Sequence, residues 1–182
     1  MRGFQEIICN FVFELIYLYN MSQQKESYMI FRVGGRMCAV SVANVLEVSE
    51  SDDITPLPGA PEYMVGIKKF RENIIPVIDT VKRLHIPVVD SSDKPNKYTV
   101  VFEIKTSNGS KRFGSLVDKV LVVKELQNSE IKMVEDIEKS TTGAAYIKGV
   151  ITGDDNSFTY VLLPEQFFSS QDFANIESAM KL

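Results

Sequence analysis

The chain has 182 residues, 45% of them hydrophobic and 24% charged, with a net charge of -4 and a pI of about 5.1. That balance suits one packed domain or two small lobes sharing an interface, and it excludes global disorder. It also argues against a nucleic-acid partner, which needs a concentrated basic surface; the tightest basic group, Lys68, Lys69 and Arg71, has the look of a solvated turn.

The first twenty residues place Phe4, Ile7, Ile8, Phe11, Leu15 and Leu18 at helical spacing. Glu6 and Glu14 interrupt the apolar run, so it is too short to span a bilayer, and the polar face lacks the basic residues of a membrane-surface helix. No direct membrane insertion is expected. Residues 1–27 read as an N-terminal extension, in which Met21 is an alternative start and residues 1–20 are either upstream translation or an accessory helix.

From Tyr28 the pattern is that of strands. Tyr28–Val33 and Arg36–Val42 flank Gly34-Gly35 and read as a hairpin with a tight turn. Val45, Leu46 and Val48 continue into the acidic Glu50–Asp53, and Pro56, Pro58 and Pro61 interrupt regular structure. Ala60 to Ile67 suits a short helix with Pro61 in its first turn. Ile74–Ile78 is a strand in which Pro76 marks an edge or a bulge, and Thr80 to His85 suits one helical turn. The polar residues 87–97 read as a linker between a first lobe, about 28–86, and a second, about 98–168. The second lobe repeats the theme: Tyr98–Ile104 and Lys111–Val117 flank Ser107-Asn108-Gly109, and further strands cover 121–123, 147–151 and 158–163, the last after the turn Gly153–Asn156. Phe167, Phe168, Phe173, Ile176 and Met180 give the tail helical spacing, and residues 169–182 read as a helix packed on the lobes.

The halves echo each other. Ser41 through Ile54 resembles Ser115 through Ile131, and Tyr63-Met64-Val65-Gly66-Ile67 resembles Tyr146-Ile147-Lys148-Gly149-Val150. The shared order suggests two related barrels of about five short strands, a mainly β fold of SH3-like type. Barrels of that size fill their interiors with side chains, so function falls to the outer surface.

Catalytic patterns are absent from the sequence. Cys9 and Cys38 have no CxxC partner or nearby His; Cys38 reads as a small core residue, and a reduced cytosolic setting fits. His85 is the single histidine and has no nucleophile elbow to serve. Of the carboxylates, Asp79 and Asp118 follow apolar strands, where capping turns is the common task, and Asp52, Asp53, Asp154 and Asp155 lie in acidic loops. Neither a metal nor a cofactor is expected.

The run Ile54-Thr55-Pro56-Leu57-Pro58-Gly59-Ala60-Pro61-Glu62-Tyr63-Met64-Val65-Gly66-Ile67, with Phe70-Arg71 and Ile74–Asp79, resembles the signature of the CheW family. Phe31–Gly35, Ala39-Val40 and Val45–Val48 are similar to that family's opening hairpin, Phe113–Val120 to its second-lobe strand, and Tyr146–Val150 to its closing one. The resemblance covers about Tyr28 to Phe168 and implies two five-stranded barrels side by side. It further implies a cytoplasmic, non-enzymatic adaptor associated with receptor arrays at the membrane. The partners it implies are the regulatory domain of a CheA-type histidine kinase and the cytoplasmic tip of a methyl-accepting chemoreceptor.

By position, Glu47 and Arg71 match a Glu–Arg pair near the family's receptor-facing surface, where opposite charges on adjacent elements would fix a loop. Val42 and Val45 match apolar groove positions, and Gly66 and Gly114 match sites of close partner approach; plain core packing is the alternative for all four. The family favours Asn-Leu-Arg-Gly after Gly66, whereas this chain has Lys69-Phe70-Arg71-Glu72, so the positive φ a glycine would take passes to a neighbour such as Asn73. This departure leaves a second reading, a diverged interaction module in another chemosensory pathway such as surface motility. A third is a small hydrolase or phosphatase using Asp52, Asp53 or Asp79.

Overall fold

The computed structural model describes residues 25–87, 96–106, 109–133 and 144–168, together with Asp172 and Ile176. The helix expected in the first twenty residues, Cys9 and Met21 lie outside the described residues, as do Phe173, Met180 and the middle of the 87–97 segment. Eleven strands are described: β1 (Lys25–Val33), β2 (Arg36–Ser41), β3 (Val45–Glu50), β4 (Met64–Phe70), β5 (Asn73–Asp79), β6 (Tyr98–Thr106), β7 (Gly109–Val117), β8 (Lys119–Gln127), β9 (Lys132–Met133), β10 (Ile147–Thr152) and β11 (Phe158–Leu162). One short helix, α1 (Thr80–Leu84), joins them. The molecule is mainly β, with two small subdomains built on two sheets, and the sheet orders are β8-β1-β2-β11-β10-β9 and β3-β6-β7-β5-β4.

The expected hairpins are present. Gly34 and Gly35 both take positive φ, 54° and 77°, which is what a two-residue turn needs to match the strand twist. Strands β6 and β7 pair from Tyr98↔Val117 to Thr106↔Gly109, while Ser107 and Asn108 at their turn lie outside the described residues. The helix expected over Ala60–Ile67 does not form. Met64 opens β4 instead, its N–H bonded to the Pro61 carbonyl at 2.8 Å, and alternate burial along Met64–Ile67 gives the segment a strand period. Pro76 lies in an internal strand, yet the parallel pairing of β5 with β7 begins only at Val77, so the missing N–H falls where β5 has a single neighbour.

The lobes are not divided at 87–97. The strands on either side of that segment, β5 and β6, belong to the same sheet. Crossings between sheets occur instead after β2, through the single turn Val42–Asn44, and after β7, at Asp118. Each half of the chain therefore places its first hairpin in one sheet and its next three principal strands in the other. Strands β1, β2, β3, β4 and β5 correspond in order to β6, β7, β8, β10 and β11, and β9 is an addition that makes the first sheet six-stranded. The match extends to single residues: Gly66↔Val77 repeats as Gly149↔Val161, Val77↔Gly114 as Val161↔Ala39, and Glu47↔Val101 as Val122↔Ile30. The bulges fall at equivalent places too, at Leu46 against Leu121 and at Val65 against Lys148. Strand alternation thus sorts the core into three parts. Tyr28, Ile30, Ala39, Leu126, Ile131 and Val161 fill one sheet's concave side, and Phe70, Ile75 and Val101 fill the other's. The opposite faces, including Phe31, Val40, Phe102 and Phe113, meet in one large cluster with Phe167, Phe168 and Ile176.

Cys38 is a fully buried free thiol in that cluster. Burial, with the nearby charge of Asp118 adding to it, pushes the thiol up from 9.0 to about 12. Below pH 9 both folded and unfolded chains hold this proton. Between 9 and 12 only the unfolded chain releases it, so stability falls as pH rises through that window. Urea midpoints measured from pH 8 to 11 are expected to decline from about pH 9, and in Cys38→Ala the onset should move up toward the tyrosine range, where Tyr63 is also raised.

Candidate functional site

The six residues matched to partner contacts do not form one constellation. Val42 lies in the turn between β2 and β3, where Ser41 caps the turn by accepting the Ala43 N–H at 3.3 Å, and Val45 opens β3. Both are half-buried against the large cluster. Glu47 is exposed on β3, at one end of its sheet, and Arg71 is exposed in the β4–β5 turn. The two are not joined by an ion pair. Arg71 instead carries the positive φ of the turn, 55°, the role expected of Asn73, and its guanidinium sits 4.9 Å above the Phe70 ring.

The cation that ties these two elements is Lys68. Its side chain is 14% exposed and reaches from β4 to the end of β3, bonding Asp52 at 2.9 Å and the Glu50 carbonyl at 3.1 Å. That contact holds the exposed Asp52 carboxyl below its ordinary range. Lys68 is therefore a strut between strands and not part of a solvated basic trio.

Gly66 and Gly114 are buried, and their need for glycine is internal. A Cβ on Gly66 would stand 2.1 Å from the Thr55 carbonyl oxygen, because Thr55 and Ile67 exchange backbone bonds of 2.9 and 2.8 Å there. On Gly114 it would meet the Thr99 methyl at 2.8 Å and Val77 at 3.2 Å. The chain's own segments fill the space where a Cβ would stand at both positions.

Of the candidate acid–base carboxylates, Asp52, Asp79, Asp118 and Asp155 are engaged locally. Asp79 caps α1 by accepting the Lys82 N–H at 3.2 Å, and the buried Asp118 accepts from the Asn96 N–H at 2.9 Å. Asp155 accepts the Ser157 N–H at 3.0 Å within its turn, and the Ser157 hydroxyl, with that N–H, holds its carboxyl below the ordinary range; Asp53 takes positive φ in the acidic loop. His85 ends α1 in the left-handed conformation and is exposed. Among the described residues, no three His, Cys, Asp or Glu side chains converge as metal ligands.

Sequence reasoning missed a cluster around Arg83. Its guanidinium lies 4.3 Å from the Tyr63 ring and 5.2 Å from the Tyr146 ring, the two tyrosines of the internal repeat. Its Nε donates to the Phe167 carbonyl at 2.6 Å, and Nη2 reaches Asp172 at 3.4 Å. Tyr63 also donates to Asp172 at 2.9 Å; burial first, then that hydrogen bond, raises the phenol to about 12. One planar cation thus joins the helical turn, both repeats and the tail. Arg83→Lys keeps the charge but loses the stacked plane and fork, and it is expected to lower stability by about 1–2 kcal/mol. A double-mutant cycle with Asp172→Asn, read by urea unfolding, measures the share carried by the tail contact. The paired tyrosines were the available signal, but nothing local marks Arg83 as their shared partner.

Comparison with known proteins agrees with this architecture. Residues 27–172 match the model of the CheW-like domain. A chemotaxis protein CheW of Treponema pallidum is 25% identical over 158 residues, which cover 86% of this chain and 89% of the relative. Protein FrzA of Myxococcus xanthus is 33% identical over a shorter stretch, 35% of this chain and 39% of its own. Among solved structures, a scaffolding protein, TtCheW from Thermoanaerobacter tengcongensis, superposes with a TM-score of 0.65 at 22% identity, covering 82% of this chain and 96% of its own. With the domain model spanning most of its length and the paired-sheet fold in place, the chain belongs to the CheW-like domain family.

Proposed function

We propose that the protein is a cytoplasmic, non-catalytic adaptor that couples chemoreceptor tips to the regulatory domain of a CheA-type histidine kinase. The observation that carries this reading is the CheW-like match over 27–172 on a fold whose inner faces are filled by its own side chains. Work done by such a molecule falls to its outer surface. Glu47 and Arg71 are exposed and available to a partner, Val42 and Val45 line the turn between sheets, and Gly66 and Gly114 act indirectly by setting the spacing of the strands that carry them.

Calorimetric titration with the kinase regulatory domain and with a receptor helical-hairpin tip tests the proposal, with micromolar binding expected to both. Absence of binding to either sinks it. Glu47→Ala and Arg71→Ala should each weaken receptor binding by about threefold to tenfold. The urea midpoint should not shift for Glu47→Ala, whose side chain is exposed, and stability should fall by about 0.5 kcal/mol for Arg71→Ala, which loses the Phe70 contact. The Lys69-Phe70-Arg71-Glu72 turn, with its exposed Arg71 and Glu72, favours a second reading, an adaptor in a different chemosensory pathway. Restoring Asn-Leu-Arg-Gly there should then switch which receptor is preferred.

A further inference from the structure

The turn Val42–Asn44 carries the chain from one sheet to the other, and its Ala43 N–H is bonded to the Ser41 hydroxyl at 3.3 Å. The internal repeat shows how the same crossing can be held differently. By register Ala43 corresponds to Asp118: Ala39 pairs with Val161 as Gly114 does with Val77, and Val45 with Phe102 as Val120 does with Phe31. At that second crossing the Asp118 N–H donates to the Arg32 carbonyl at 2.9 Å, a tether made by backbone alone.

At the first crossing the Ser41 hydroxyl is itself held. Ser41 donates its proton to one oxygen of Glu26, Tyr28 donates to the other at 2.8 Å, and Tyr28 accepts from the Lys148 ammonium at 3.1 Å. All donors therefore point toward the carboxylate, from Ala43 through Ser41 on one arm and from Lys148 through Tyr28 on the other. A hydroxyl has a single proton to give, so an anion at Glu26 fixes the direction of both arms and strengthens each bond. Strands β1 and β10 are separated in their sheet by β2 and β11, and this relay of side chains joins them. The equivalent positions in the other half are Lys97, Thr99, Leu116 and Val65, a set with no carboxylate and one hydroxyl, which bonds Ser51 at 3.2 Å. The barrel architecture is thus built once without the relay. Glu26 also stands just before the residues 27–172 that match the CheW-like domain.

We propose that Glu26 is a positioning residue for the partner surface at Val42 and Val45: through Ser41 it fixes the crossover turn, and so sets receptor-tip affinity without touching the tip. This deepens the adaptor reading and rests on it. Residues already held in their bound arrangement lose less freedom when a partner docks, and that saving appears as affinity.

Two measurements on the folded full chain separate the parts of the proposal. The backbone heteronuclear NOE at Val42–Asn44 reads the order of the turn with no partner present, and calorimetric titration reads affinity for the receptor tip. Glu26→Ala is expected to lower the NOE at Ala43 and to weaken tip binding by about threefold to tenfold, the cost of ordering a few residues on docking. Ser41→Ala cuts only the arm to the turn, leaves the Tyr28 arm in place, and should match Glu26→Ala in both readings. Ser41→Thr keeps a hydroxyl and should bind as the parent chain does. Combined with Val42→Ala, the Glu26→Ala loss should be less than additive, because both act on one turn. A relay that merely stabilised the fold would lower the urea midpoint and leave the NOE and the affinity of the folded chain unchanged. An unchanged NOE in Glu26→Ala and Ser41→Ala overturns the proposal, as does a lowered NOE with unchanged affinity. Fully additive losses also overturn it, since Glu26 would then meet the tip itself. A parent chain that binds no tip sinks the adaptor reading and the affinity effect with it, whereas the NOE still decides whether Glu26 fixes the turn.

Discussion

Gly66→Ala is expected to lower the unfolding free energy by about 3 kcal/mol, at the upper end of what overpacking costs. The added methyl carbon would lie 2.1 Å from the Thr55 oxygen, 2.7 Å from its carbonyl carbon and 3.0 Å from the Pro56 Cα. All three are backbone atoms, so no side-chain rotation relieves the clash. The bridge between Thr55 and Ile67 must open so that the Thr55 segment can move away from β4. Gly149→Ala should behave alike, because its methyl would stand 2.4 Å from the Lys132 oxygen. Gly59→Ala is the contrast: its Cβ meets nothing within 4 Å, and only the positive φ of 75° opposes it, at about 1 kcal/mol. Urea unfolding of the three variants ranks them. An unchanged midpoint for Gly66→Ala would mean that the glycine is kept for a partner and not for the chain's own crossing.

Phe113→Ala should cost about 3–5 kcal/mol. Phe113 is fully buried where the faces of the two sheets meet, with ring centres 5.3 Å from Phe102, 5.9 Å from Phe167 and 4.9 Å from Phe168. Removing it empties the centre of the cluster and deletes three aromatic contacts at once. For a domain whose total stability is about 5–15 kcal/mol, that brings the variant close to unfolding. Phe113→Leu keeps most of the volume and should lose less than half as much. Equal losses for the two variants would show that the site collapses around either side chain.

Hairpins, turns and the repeat were legible in the sequence because they are written locally. Gly34-Gly35 and the alternation along Tyr28–Val33 act over a few residues, and the two Tyr-x-x-Gly segments mark equivalent strands down to the bulge before each glycine. The repeat read from Ser41 and Ser115 was one residue out at its start, since Ala39 and Gly114 are the true equivalents. What remained hidden depends on contacts distant in sequence. The exchange of hairpins between sheets leaves no local mark, so a polar segment at 87–97 looked like a boundary although it connects strands of one sheet. Pro61 can start a helix or a turn, and only the pairing of Met64 with Ile78 decides between them. At the candidate site, Glu47 and Arg71 fall on exposed positions and Gly66 and Gly114 on buried crossings, a placement that no local pattern announces. The side-chain contacts around these positions join residues distant in sequence: Lys68 of β4 bonds Asp52 at the end of β3, and Arg83 draws on residues from 63 to 172.

The interleaving of the halves also fixes an order of assembly. When the first eighty-odd residues have left the ribosome, β1 lacks β8, β2 lacks β11 and β3 lacks β6, so neither sheet has its complement. Completion waits for strands encoded roughly 100 to 120 residues later, Lys25 with Gln127 and Ala39 with Val161. Cutting the gene at its midpoint would therefore yield two insoluble fragments, each holding the missing parts of the other, and only their joint expression would recover a folded molecule.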